Sequence, residues 1–187
     1  MNKKNGSIIV LSGPSGAGKN TVFDELARQS SAIVQTVSAT TRAPRDGETD
    51  GVDYYFVSES KFVEMINEDA FIEYVKYGNN YYGTLKSEVS RLTDEGKTVI
   101  LVIEVNGAAN IKKIIPESTS VFILPPSVEE LRRRIESRGQ NTESEIETRL
   151  SIAMEEMKYK DTYDYRVVND ELENCVSEIF NIINSVK

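Results

Sequence analysis

The sequence predicts an α/β fold: a mostly parallel sheet with helices on both faces, interrupted by a smaller mixed unit. Three observations point there. Short β-branched runs alternate with helical stretches over most of the chain, as in a parallel sheet whose crossovers are helices. A glycine-rich turn, GPSGAGK, stands between the first apolar run and the first helical stretch. From Tyr54 to Thr84 the pattern changes to strand-like runs about the turn Gly78-Asn79 with one short helix, the mark of a mixed or antiparallel unit.

In chain order, Ser7 to Leu11 reads as a buried strand ended by Gly-Pro, followed by a helix over Lys19 to Arg28 and a strand near Ile33 to Val37. The segment SATTRAPRDGETDGVD is too long and polar for an ordinary tight connection and reads as functional or disordered. YYFV and the helical SESKFVEMINE open the inserted unit. Strands are expected at Thr98 to Val105, Ser120 to Leu124 and Tyr165 to Val168. Helices are expected near Ala108 to Ile115, Ser127 to Arg138, Glu143 to Tyr159 and Glu171 to Val186. Ser127 with Glu130 and Thr142 with Glu145 fit the capping box. Ile146, Leu150, Ala153 and Met157 mark one apolar helix face, which is core.

Composition narrows the chemistry. With 187 residues, 39% hydrophobic and 28% charged, the chain suits one compact domain with an insertion. It contains no histidine and a single cysteine, Cys175, so histidine-dependent triads, the usual zinc sites and an internal disulfide are excluded. The net charge of −8 argues against a nucleic-acid coat. No apolar run suits a membrane span or a signal peptide, and a cytoplasmic protein is expected. Affinity for phosphate must be local, and Arg132, Arg133, Arg134 and Arg138 cluster within seven residues. Arg132 and Arg133 flank the Leu131/Ile135 stripe and read as a wet helix face.

Gly13, Pro14, Ser15, Gly16, Ala17, Gly18 and Lys19 fit GxxxxGK in the strand-loop-helix setting of a P-loop. Glycines let backbone N–H groups turn toward phosphate oxygens, the helix N-terminus adds a positive dipole, and Lys19 supplies a point charge. Asn20 stands where many such loops place a hydroxyl for Mg²⁺, and Thr21 follows it. Magnesium leans on substrate phosphates and water, so the loop is expected to work with Thr21 or Asn20 as the protein ligand.

Behind this loop, SATTRAPRDGETDGVDYYF (Ser38 to Phe56), FIEY (Phe71 to Tyr74), NYYGT (Asn80 to Thr84) and VVND (Val167 to Asp170) resemble guanylate kinases in order and spacing along nearly the whole chain. The resemblance implies a P-loop core over residues 1–37 and 85–187, a GMP-binding insertion over 38–84 and a short lid about 134–145. It implies transfer of the ATP γ-phosphoryl to GMP with Mg²⁺. Arg42, Arg45, Tyr54 and Tyr82 match the family's GMP-phosphate site, and Ser38, Glu73 and Thr84 its guanine pocket. Arg134 and Asn169 match the ATP side, where Asn169 approaches adenine. Arg138 and Arg149 match the phosphate-contacting arginines, which with Lys19 and Arg42 make the catalytic set.

Chemistry agrees independently. Guanine offers donors at N1 and N2 that a carboxylate such as Glu73 can accept, whereas adenine presents a bare N1 acceptor. A phosphate acceptor is already anionic, so no histidine base is needed. Taken singly, Arg42 and Arg45 could be solvated loop charges, Glu73 the exposed member of an alternating strand, and Tyr81 and Tyr82 a cross-strand packing pair. Two other readings are a non-catalytic guanylate-kinase-like protein-binding domain and a related kinase with another phosphorylated acceptor. Retention of three glycines and Lys19 disfavours the first, and the arginine-tyrosine group suits an acceptor that carries phosphate.

One departure concerns the strand TVILVIEVNGA. Glu104 is expected at its carboxyl end, facing guanine or the metal, while Val102 stands where the family commonly has a second acid. If 102 and 104 share one strand face, the valine weakens a polar network and Val102→Asp should raise turnover. The resemblance implies ATP and GMP as substrates, with dGMP as a further acceptor, and the protein is expected to be a monomer or homodimer.

Overall fold

The structure is a computed structural model describing residues 6–137 and 142–186. Strand β1 (Ile8–Ser12) runs through the glycine-rich loop into α1 (Lys19–Gln29) and β2 (Ile33–Val34). Then come β3 (Ala39–Thr40), β4 (Tyr55–Phe56), α2 (Glu59–Asn67), β5 (Phe71–Tyr77), β6 (Asn80–Leu85) and α3 (Lys86–Asp94). The chain continues through β7 (Thr98–Val102), α4 (Val105–Ile114), β8 (Thr119–Leu124), α5 (Val128–Ser137) and α6 (Glu143–Met157). A 3₁₀ turn (Lys160–Thr162), β9 (Tyr165–Val168) and α7 (Leu172–Ser185) complete it.

The main sheet has the order β2-β7-β1-β8-β9, and every pairing in it is parallel. Alternation along β1 divides the core. Ile9 and Leu11 pack with Val22 and Leu26 of α1 and Val176 and Ile179 of α7. Val10 faces the opposite layer, with Val89 of α3 and Val105 and Ile111 of α4. Burial on both faces is why these strands read as continuous apolar runs. A fully buried residue such as Leu26 contributes about 1.5–3 kcal/mol through removal from water. Since β1 has β7 on one side and β8 on the other, the loop after it opens at the sheet's switch point, where α/β sheets bind ligands.

The second sheet has the order β4-β3-β6-β5 and is mixed: β3 pairs parallel with β4 and antiparallel with β6, and β5 and β6 form a hairpin. Phe62 of α2 stacks on Phe71 and Tyr81 and anchors this unit's own small core. A β-bulge lies between Phe71 and Glu73. It buries Phe71 in that core and Ile72 in the core of the main sheet, then presents Glu73 half-buried opposite Thr84.

Three expectations change. Helix α3 is absent from the sequence reading, because only Val89 and Leu92 mark its buried side and its third buried residue is charged Glu88. Strand β7 ends at Val102, so Glu104 is not on it but is the N-cap residue of α4, which starts three residues earlier than expected. The shared strand face of 102 and 104 therefore does not exist. The Thr142/Glu145 capping box is complete, whereas at Ser127 the hydroxyl accepts from Glu130 N–H while the Glu130 carboxylate turns to Arg133 and Arg134.

Candidate active site

The loop from Gly13 to Lys19 owes its path to glycine at positions a side chain could not occupy. Gly13 has φ 143°, and a Cβ there would meet the Ile123 carbonyl oxygen at 2.4 Å. Gly18, at φ 89°, is the N-cap of α1 and supplies no side-chain cap to the first helical N–H groups. Lys19 Nζ donates to the carbonyls of Gly13 at 2.6 Å and Pro14 at 3.2 Å, folding back across the loop mouth.

A cavity of about 220 Å³ opens there between the loop and the ends of β7 and α4. Lys19, Asn20, Glu104 and Val102 line it, so the acid and the valine meet across a cavity even though they do not share a strand. Glu156, on α6, lines it too, and its Oε2 accepts the Ser15 N–H at 3.1 Å. Burial raises the Glu156 carboxyl pKa, with the Ser15 N–H and Lys19 opposing and Glu104 adding to the rise. Arg149 Nη2 donates to Ser15 Oγ at 3.4 Å.

On the loop's other side a cavity of about 310 Å³ is lined by Gly16, Gly18, Thr21, Arg134 and Asn169. Successive helical residues diverge by about 100°, which separates Asn20, on the first cavity, from Thr21, on the second. Asn169 braces the loop: its Nδ2 donates to the Ala17 carbonyl at 2.8 Å, and its own carbonyl accepts from Arg134 Nη2 at 2.9 Å. Arg134 is further held by Glu130. Arg138 lies outside the described residues, as do positions 139–141 of the expected lid.

The inserted unit carries the remaining candidates. Arg42 lies over the rings of Tyr54 and Phe56, its guanidinium carbon 5.4 and 5.7 Å from their centroids. It is not a solvated loop charge: its side chain is 15% exposed and makes a two-bond ion pair with Glu48. Glu48 also accepts the Arg45 N–H at 2.7 Å, and the two arginines together hold its carboxyl down at about 2. The Arg45 residue itself is exposed. Tyr54 and Tyr82 meet edge to face at 6.1 Å. Arg42, Tyr54 and Tyr82 thus form one cluster.

Glu73 accepts from Thr84 Oγ1 at 2.8 Å, a bond set by their opposition in the hairpin. Thr84 is buried, Glu73 keeps a second carboxylate oxygen for a ligand, and Ser38 is half-buried at the edge of β3 with its carbonyl bonded to the Tyr55 N–H. Neither cavity beside the phosphate loop is lined by Arg42, Tyr82 or Glu73.

Two residues in these clusters, Glu48 and Glu156, escape sequence reasoning. Glu48 could have been found from its spacing after Arg42 and Arg45, which lets one turn fold it onto both. Glu156 shares a helix face with Arg149 two turns earlier, the one signal available.

Known proteins resemble this chain in sequence and in fold. The guanylate kinase family model matches residues 5–186. A guanylate kinase of Clostridioides difficile is 48% identical over 98% of this chain and 90% of that protein. One from Caldanaerobacter subterraneus is 47% identical over 99% of this chain and 90% of its own length. The crystal structure of guanylate kinase from Anaplasma phagocytophilum superposes with a TM-score of 0.72 at 36% identity, covering 99% of this chain and 88% of that one. A shikimate kinase from Bacteroides thetaiotaomicron, at 16% identity and a TM-score of 0.53, shares the fold alone. With the family model spanning nearly the whole chain and its relatives matched almost end to end, this protein belongs to the guanylate kinase family.

Proposed function

We propose that the protein transfers the γ-phosphoryl group of ATP to GMP, and to dGMP, yielding ADP and GDP or dGDP. The observation that carries this is the small sheet's pairing of functions. One platform presents Glu73, braced by Thr84, for a base with two donors, and the Arg42/Tyr54/Tyr82 cluster for its phosphate. Residues 38–84 are accordingly the GMP-binding part, and 1–37 with 85–187 the ATP-binding core.

A phosphate oxygen of GMP attacks the γ-phosphorus, the bond to the β-γ bridging oxygen breaks, and ADP departs with that oxygen. No proton need be removed from the nucleophile, so the chain's lack of histidine is no obstacle. The loop N–H groups and Lys19 hold the donor phosphates. Arg149 and Arg138 neutralise charge on the transferred group, while Arg134, Asn169 and Thr21 border the adenine side. Because Arg42, Tyr82 and Glu73 line neither cavity beside the phosphate loop, the two parts close on each other to bring the nucleotides in line and exclude water.

Mg²⁺ fits the first cavity, where Asn20 and Glu104 offer hard oxygens beside Lys19 while Glu156 is engaged with the Ser15 N–H. Among the described residues no three acidic or thiol groups converge as a metal cage, which suits an ion held mainly by phosphates and water with Asn20 as the nearer protein ligand. When bound, it neutralises charge on the β- and γ-phosphates. No helix among the described residues is long and apolar enough to cross a membrane, and a cytoplasmic location is part of this reading.

The test is ADP release from Mg-ATP with GMP, dGMP, AMP, CMP and UMP offered in parallel. GMP and dGMP should accelerate release by orders of magnitude over the others. Equal rates with AMP would overturn the proposal.

A further inference from the structure

Ser15 is bonded twice by one helix. Its N–H donates to Glu156, and its Oγ accepts from Arg149. Arg149 and Glu156 stand about two turns apart on the same side of α6. The neighbouring Gly16 lies so close to α5 that a Cβ there would meet Leu131 Cδ1 at 2.9 Å, and Leu131 belongs to the cluster that joins α5 to α6 through Leu150 and Ala153. The phosphate loop therefore meets the α5/α6 pair through close apolar packing at Gly16 and through polar bonds at Ser15.

The Glu156 bond is made at a cost. Its carboxylate is half-buried and feels Glu104 across the cavity, so packing alone would favour an uncharged residue at this position. What the carboxylate adds is a directed bond to a particular backbone N–H. Arg149 sits ~10 Å along α6 from that anchor, so a tilt of ~6° about it displaces the guanidinium root by ~1 Å. A displacement of that size in a site organised for phosphoryl transfer costs on the order of 10²-fold in rate.

We infer that Glu156 is a positioning residue: by accepting the Ser15 N–H it fixes α6 against the phosphate loop and so sets the place of the Arg149 guanidinium at the transferred phosphate. The inference rests on the proposed phosphoryl transfer and on Arg149 as a phosphate-contacting group. It separates reach from charge. Glu156→Gln keeps an acceptor oxygen at the same reach without the charge, whereas Glu156→Asp keeps the charge and shortens the reach by one methylene.

Steady-state kinetics on the full chain test it. Glu156→Ala and Glu156→Asp should each lower kcat by about 30-fold or more with the KM for GMP within about twofold, while Glu156→Gln stays within about threefold of the unmodified protein. In an Arg149→Ala background, Glu156→Ala should lower kcat by less than about threefold more, because the group it positions is gone. The inference is overturned if Glu156→Asp is fast and Glu156→Gln slow, if Glu156→Ala leaves kcat unchanged, or if its loss adds in full to that of Arg149→Ala. GMP calorimetry reports whether each variant is folded, and the near-isosteric Gln and Asp variants decide the matter if Ala unfolds. Failure of the unmodified protein to release ADP with GMP would instead sink the proposed function.

Discussion

Arg42 and Glu48 form a two-bond ion pair, Nη1 to Oε2 at 2.9 Å and Nη2 to Oε1 at 2.7 Å, with the guanidinium lying over two aromatic rings. The fork geometry fixes the plane of the guanidinium, and the same carboxylate pins the backbone of Arg45. An anion already in place could compete with the GMP phosphate or hold Arg42 ready for it. Orientation should dominate, since a flexible side chain otherwise has to be ordered on binding. Glu48→Ala is therefore expected to raise the KM for GMP about tenfold, with kcat changed less than about threefold. A lowered KM would mean that Glu48 acts as a competitor.

The same pair makes stability pH-dependent. Arg42 first, then the Arg45 N–H, hold the folded Glu48 carboxyl at about 2, against 4.5 for an unperturbed one. Glu130, paired with Arg133 and Arg134, is likewise at about 2. A carboxyl whose folded pKa is depressed stabilises the fold above its unfolded pKa and loses that contribution as pH falls through the folded one. The urea midpoint should thus decline between about pH 4.5 and pH 2, and Glu48→Gln should flatten part of that decline. An unchanged slope in the variant would show that the pair is screened by solvent, the usual fate of exposed ion pairs.

Legibility in the sequence followed how local each feature is. The phosphate loop was readable because its glycines and lysine are contiguous and their conformations are demanded within the motif itself. The bounds of β9 are readable to the residue. Strand β7 was overrun because its end depends on pairing with β1, which ends at Leu11↔Val102. The bulge that aims Glu73 is invisible in FIEY, as it exists only in register with β6. Acidic residues are the hardest case. Glu156 looks like any helix-surface charge until a partner 141 residues away, Ser15, is brought to it.

Glu73 offers a test of base recognition. One oxygen is held by Thr84, which fixes the carboxylate so that it can accept from guanine N1–H and N2–H. Glu73→Gln replaces an acceptor with a donor against a donor. The KM for GMP should rise about 10² to 10³-fold, and discrimination against AMP should shrink, because the penalty for the wrong base comes from unpaired polar groups. Selectivity unaltered between GMP and AMP in the ADP-release assay would remove Glu73 from the pocket.

Lys19 separates donor from acceptor chemistry. Its ammonium rests on the Gly13 and Pro14 carbonyls of the phosphate loop. Lys19→Met should lower kcat by about 10²-fold or more through loss of charge at the transferred group, yet leave GMP affinity within about twofold in calorimetry. Loss of GMP affinity equal to the loss of rate would mean that the lysine serves the acceptor.

Val102 is the last residue of β7 and lines the cavity that also holds Lys19, Asn20, Glu104 and Glu156. It is partly buried and packs against the core, so Val102→Asp removes apolar contact at a cost of about 1–2 kcal/mol of stability. The new carboxylate would stand near Glu104, and that repulsion is relieved when Mg²⁺ enters between them. Two effects thus oppose each other: weaker packing and mutual repulsion without the ion, a richer oxygen set with it. At saturating Mg²⁺ the second should prevail, because Coulomb attraction to a divalent ion outweighs the loss of the two valine methyl contacts. The expected outcome is a lower melting temperature together with a severalfold higher kcat and a lower Mg²⁺ concentration at half-maximal rate. A variant that melts lower and needs as much Mg²⁺ as before would show that position 102 faces the core and contributes nothing to the ion's surroundings.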